Sequence, residues 1–178
     1  MSDYDTPRDA ATTPDEQADL WKKIEKIRFA MLTTRSAEGD LVSRPMTLQQ
    51  VEPDGTLWFF TSANTALEAD LAREPAANVA FADTGDSFYL SVVGRGYFIE
   101  DRQKVDELWN TLAAAWYSEG PADPDLRLLR VDPERVDYWT TKAGKIVQFL
   151  AMAKAAVTRT APGPAVGEHG TFAPRGTH

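Results

Sequence analysis

A chain of 178 residues is the usual size of one compact domain, and its 19 Lys and Arg against 27 Asp and Glu give a net charge of −8, the wrong sign for a protein that neutralises a phosphate backbone. There is no cysteine, which excludes disulfides, thiolate nucleophiles, iron–sulfur clusters and the common structural zinc sites. Only His169 and His178 are histidines, both in a Gly- and Pro-rich C-terminal stretch, so a hydrolase built on a histidine triad has no base in the body of the chain.

Residues 1–12 are acidic and read as a mobile leader without the apolar run of a signal peptide. Five of the eight net negative charges fall in the first 20 residues. No stretch approaches the 18 or so apolar residues of a membrane span. The expectation is a soluble, cytoplasmic protein with no nucleic-acid or membrane partner and no metal.

Thr13-Pro14-Asp15-Glu16 is a helix start, with Thr at the N-cap, Pro at the first helical position and Glu placed to complete a capping box. Leu20, Trp21, Ile24 and Ile27 then share one face, which predicts a helix to about residue 26. Strands follow over 29–34, 41–51 and 56–62, separated by the turn sequences Ala37-Glu38-Gly39-Asp40 and Pro53-Asp54-Gly55. Residues 64–73 carry Leu67, Leu71 and Ala72 at helical spacing and stop before Pro75. Runs at 78–82, 87–93 and 95–100 read as three more strands, bounded by Gly85-Asp86 and Gly94. A helix is predicted over 102–116, capped by Asp101, with Val105, Leu108, Trp109 and Leu112 on its buried face. A strand over 128–140, interrupted at Asp132-Pro133, and a helix from 144 to about 157 complete the ordered part, leaving 158–178 as a flexible tail. The pattern predicts one domain over 13–157, mainly β with helices: a closed or split barrel of six or seven antiparallel strands and three or four helices, since closure removes exposed strand edges.

With neither Cys nor a body His, the chemistry belongs to Arg, Lys, carboxylates, hydroxyls and aromatics, or to a cofactor. No spacing singles out a catalytic residue. Ser43-Arg44-Pro45-Met46-Thr47 places a proline inside a strand, which suits an edge or a strand that faces a ligand; Arg44 is then either a surface cation or an anion contact. Thr61 and Ser62 precede Asn64 and Thr65 at a helix start, where hydroxyls and free backbone N–H groups can seat a phosphate or simply cap the helix. Among five tryptophans, Trp116 and Trp139 lie near element ends and are the candidates for a ligand wall, the alternative for each being core.

From Leu20 to Val157, with Gly167-Glu168-His169-Gly170 beyond, the order of motifs resembles the general stress protein branch of the pyridoxamine 5′-phosphate oxidase-like, FMN-binding split-barrel superfamily. The carrying segments are Phe29-Ala-Met-Leu-Thr-Thr34, Ser43-Arg-Pro-Met46, Leu57-Trp-Phe-Phe-Thr-Ser62, Asn78-Val-Ala-Phe-Ala-Asp83, Glu107-Leu-Trp-Asn110, Asp123-Pro-Asp-Leu126 and Val136-Asp-Tyr-Trp139. The resemblance implies a homodimer of Greek-key split barrels with two flavin sites at the interface, holding FMN or, alternatively, FAD. It implies that Arg44, Pro45 and Met46 run along the flavin ring and that Thr61 and Ser62 serve the ribityl phosphate. It implies Trp116 or Trp139 of a partner copy over the ring. Where the family has a phosphate-binding Ser and Lys, this chain has Thr65 and Leu67. The expected function is a flavin-dependent oxidoreductase using NAD(P)H or a small molecule; the alternatives are a flavin carrier or sensor without turnover, and a dimeric barrel that has lost its cofactor.

Overall fold

The computed structural model describes residues 13–140 and 168–174. The leader and the helix expected over 144–157 lie outside them. Helix α1 (Pro14–Ile27) forms as its sequence dictates: Thr13 accepts from the Glu16 N–H while the Glu16 side chain takes the Thr13 N–H, and Leu20, Trp21 and Ile24 are buried. Strands β1 (Phe29–Arg35), β2 (Leu41–Val51) and β3 (Leu57–Ser62) make an antiparallel meander. Helix α2 (Ala66–Arg73) crosses to β4 (Ala76–Asp83) and β5 (Phe88–Ile99). Helices α3 (Arg102–Leu108) and α4 (Thr111–Ala114) lead through a 3₁₀ turn at Gly120–Ala122 into the long β6 (Leu126–Thr140), and β7 (Glu168–Phe172) ends the fold.

The strand order is β3-β2-β1-β4-β5-β6-β7, and β3 also pairs β6, so six strands close a barrel and β7 extends it. One edge of β6 is shared: its first half pairs β3 and its last residues pair β7. The barrel interior and the buried faces of α1 and α2 form one core, with Phe59, Leu32, Val79, Val92 and Leu129 at its centre; Phe172 of β7 joins it. A second core forms outside β3 and β6, where Trp58, Leu126 and Leu128 meet Val105 and Leu108 of α3, and Tyr117.

Four features differ from the sequence expectation. The strands expected at 87–93 and 95–100 are one strand: Gly94 sits at a bulge, where a Cβ would lie 2.2 Å from the Asp132 carbonyl oxygen, so glycine permits close approach rather than ending the strand. The bulge also accommodates Pro133, so β6 runs on through it. The helix expected over 102–116 is two, because the Asn110 side chain caps a new start by accepting from the Leu112 and Ala113 N–H groups, which turns Leu112 outward. Residues 168–172, within the stretch expected to be a flexible tail, are β7.

Candidate functional site

Between Leu41 and Thr47, β2 pairs only β1, and it meets β3 from Leu48 onward. The last residues of β3, Phe60 to Ser62, pair only β6. The two strands therefore part at one end, and α4 with the segment after it lies across the gap. The result is a groove of about 320 Å³ lined by Pro45, Met46, Thr47 and Gln49 on one side, Phe60, Thr61 and Ser62 on the other, and Leu112, Ala113, Trp116 and Tyr117 above. Proline at position 45 fits this place, because the strand edge it occupies needs no donor on the open side.

Six of the sequence-predicted residues converge here: Pro45, Met46, Thr47, Thr61, Ser62 and Trp116. Trp116 is 81% exposed at the rim, a large apolar ring with no protein surface over it. The other four lie elsewhere. Arg44 points to the inner side of β2, where its Nη2 meets Asp70 Oδ2 at 2.8 Å and its Nη1 donates to Thr34 Oγ1 at 2.7 Å. Asn64 has φ 55° and gives its N–H to Glu68. Thr65 is the N-cap of α2 but makes no side-chain cap bond, and its Oγ1 is shut off from solvent without a hydrogen-bond partner. Trp139 stacks on His169 at 4.8 Å between ring centroids, 13 residues beyond Leu126 along β6. Leu67 is buried in the main core.

Gln49, Phe60, Leu112, Ala113 and Tyr117 were not among the predicted site residues. For Gln49 the signal was present: it follows Pro45 and Thr47 at the period of two that keeps strand residues on one face. The Gln49 amide is fixed at both ends, its Oε1 accepting from Asn110 at 2.7 Å and its Nε2 donating to the Thr47 carbonyl at 2.9 Å. The residue that caps α4 thus also orients a groove side chain.

Among the described residues no charged side chain lines the groove, and Tyr117 is the one titratable group there. Burial pushes the Tyr117 phenol above its ordinary value of 10.0, against a smaller downward pull from its hydrogen bond with Ser62, and Asp125 and Asp123 add to the rise. At neutral pH it is a hydrogen-bonding phenol. The folded state holds this proton more tightly than the unfolded chain, so the stability it brings is complete below about pH 10 and is lost as pH rises beyond. Urea midpoints of Tyr117→Phe should therefore fall less steeply above about pH 10 than those of the parent; parallel curves would show that the phenol contributes nothing to alkaline sensitivity.

A second hollow of similar volume lies beside the β1–β2 hairpin, lined by Thr33, Thr34, Arg35 and Leu41 with Glu74, Ala76, Ala77 and Asn78. Its ion pair, Arg35 with Glu74 at 3.7 Å, is solvent-exposed, and we place no site there. Among the described residues no group of three or more His, Asp or Glu side chains is placed to hold a metal ion, and no helix is long and apolar enough to cross a membrane.

Comparison with known proteins places this architecture. The family model described as pyridoxamine 5′-phosphate oxidase like matches residues 15–163. The crystal structure of the general stress FMN/FAD binding protein of Xanthomonas citri is 36% identical and superposes with a TM-score of 0.65, over 74% of this chain and 93% of that one. A Nostoc punctiforme protein described as pyridoxamine 5′-phosphate oxidase-related and FMN binding shares the fold at 15% identity, with a TM-score of 0.58 over 89% of this chain and 93% of its own. The protein bli-3 of Neurospora crassa is 27% identical over 150 residues, 79% of this chain and 72% of that protein.

Proposed function

The chain belongs to the pyridoxamine 5′-phosphate oxidase-like family, and from that premise we propose that it binds a flavin, FMN before FAD, in the β2–β3 groove and acts as a flavin-dependent oxidoreductase. The observation that carries the reading is the groove itself. One wall is an open strand edge with neutral hydrogen-bonding side chains, Thr47 and Gln49; the facing strand end adds the hydroxyls of Thr61 and Ser62; the rim is an exposed indole. This combination fits a flat heteroaromatic ligand with a polar edge and a polar tail. The Xanthomonas citri protein, similar over most of both chains, is described as FMN/FAD binding.

When bound, a flavin supplies the hydride acceptor that the side chains do not. Pro45, Met46 and Thr47 would support one face of the ring, Gln49 would be held by Asn110 to meet its polar edge, and Trp116 would shield the open side. Tyr117 and Ser62 are neutral polar side chains beside it. A carrier or sensor without turnover is the second reading, favoured by a groove lining that, among the described residues, holds no ionised side chain to move a proton.

We also propose that two copies associate through the outward face of the sheet. The strand registers put Thr47, Phe29, Tyr89 and Trp139 on one row, and Pro45, Met31 and Ala80 on the next. Phe29 is 69% exposed and Met31 and Tyr89 are exposed as well, an apolar expanse that adjoins the groove through Pro45 and Thr47. A second copy on this face would finish covering the ligand.

Protein purified without added cofactor should absorb near about 375 and 450 nm, or gain those bands on addition of FMN, and should have the mass of a dimer in solution. A colourless monomer that takes up neither FMN nor FAD would overturn the reading. Bleaching of the bound flavin by NADH or NADPH separates the oxidoreductase from the carrier.

A further inference from the structure

A backbone N–H can only donate, and two of them decide which way the Asn110 amide faces. Its Oδ1 accepts from the Leu112 N–H at 3.0 Å and the Ala113 N–H at 3.1 Å, so its Nδ2 is turned away from α4. That nitrogen donates to the Leu108 carbonyl at 3.0 Å and to Gln49 Oε1 at 2.7 Å, which uses both of its hydrogens. Gln49 must therefore give its oxygen to Asn110, and its Nε2 donates to the Thr47 carbonyl at 2.9 Å. One Nε2 hydrogen is left uncommitted among the described residues, on a side chain that lines the groove. The hydroxyls of Thr47, Thr61 and Ser62 can rotate to donate or accept, whereas the Gln49 amide has its sense fixed from outside the groove. The backbone there is special too. The register of β2 on β3 slips at Gln49, with Leu48 facing Phe59 and Gln50 facing Trp58, and such a slip re-aims side chains. Gln50 is held in turn, its Oε1 accepting from Lys104 Nζ at 2.7 Å, so α3 and the start of α4 grip both residues of the slip.

We infer that Asn110 is a positioning residue: through its cap on α4 it fixes Gln49 as a hydrogen-bond donor toward the flavin ring, so that the groove holds reduced flavin more tightly than oxidised. The inference rests on the flavin reading above and adds to it the sense of one amide. Reduction makes the carbonyl oxygens and nitrogens at the polar edge of the ring more negative, and an N–H aimed there gains strength with the charge of its acceptor. Turned the other way, the same amide would set a carbonyl oxygen against that charge. Among the described residues that line the groove there is no cation to take this part, so it falls to a dipole. The choice of capping residue follows. Ser or Asp would cap α4 as well, but Asp has no donor and Ser has one short hydroxyl; Asn both accepts at the helix and donates to Gln49.

The midpoint potential of FMN bound to the full chain, taken relative to free FMN, gives the ratio of Kd values for the oxidised and reduced forms and tests this. Asn110→Ser, which keeps a cap, should lower the preference for reduced FMN about three- to tenfold. Gln49→Ala, which leaves Asn110 and its cap in place, should lower it at least as far. In the Gln49→Ala background Asn110→Ser should change the ratio less than about twofold, because the path through Gln49 is gone. An unchanged ratio in Gln49→Ala, or a loss from Asn110→Ser that is the same with and without Gln49, would overturn the assignment while leaving the flavin site standing. Binding of neither form of FMN by the parent chain would instead overturn the flavin reading itself.

Discussion

Replacing Asp70 by Ala should lower the free energy of unfolding by about 3 kcal/mol, because it leaves an arginine charge among packed elements without its counterion. The Asp70 side chain is 6% exposed and that of its partner Arg44 23% exposed, with 2.8 Å between charged atoms. The same carboxylate accepts from Thr34 at 3.2 Å and stands 3.8 Å from Arg73, so it ties β1, β2 and α2 together. Breaking such a pair from one side costs far more than replacing both members, since the penalty is the stranded charge. The double substitution of Asp70→Leu with Arg44→Met should therefore recover most of the loss. Urea denaturation of the two variants decides it: a loss below about 1 kcal/mol for Asp70→Ala would mean that solvent screens the pair after all.

Gly94→Ala should cost a similar amount, about 3 kcal/mol, by a steric route. The added methyl would stand 2.2 Å from the Asp132 carbonyl oxygen and 3.0 Å from its carbon, and both are backbone atoms of the facing strand that cannot rotate aside. The bulge would have to open, and with it the register that continues to Ile99 and Leu128. In a protein of this size the melting temperature should fall by about 6 to 12 °C. Gly39→Ala is the control: its φ of +93° strains a side chain, but nothing lies within 4 Å, so about 1 kcal/mol is expected. A melting temperature for Gly94→Ala within about 2 °C of the parent would show that the strands part more easily than their packing implies.

Local signals in the sequence proved reliable where local physics decides. The capping box at Thr13 and Glu16 and the turn ending in Gly55, at φ 90°, are set by neighbouring residues alone, and both form as expected. Gly94 misled because one residue type serves two ends, a turn or a close approach, and only the facing strand tells which. The break at Asn110 was hidden by apolar spacing that runs through it unchanged; the cap shows only once the side chain is seen to accept from Leu112 and Ala113. Within the groove, alternation along β2 was legible, whereas the closing of β3 on β6 and the placing of Tyr117 over Ser62 depend on partners distant in sequence. Arg44 shows the same limit in reverse: its charge suggested a ligand, and the partner that absorbs it, Asp70, lies on a different element with no signal linking the two.

The closing pair also sets an order of events on the ribosome. Residues 57–62 of β3 find their second neighbour only in residues 126–131 of β6. As the chain is synthesised, β1 to β5 can pair with one another while β3 waits with a bare edge and Trp58, Phe59 and Phe60 uncovered. Joining segments so far apart is slow compared with forming a hairpin, and the half-made barrel is adhesive in the interval. The acidic first 20 residues emerge ahead of all of this and give neighbouring nascent chains like charge to hold them apart until the seam is shut.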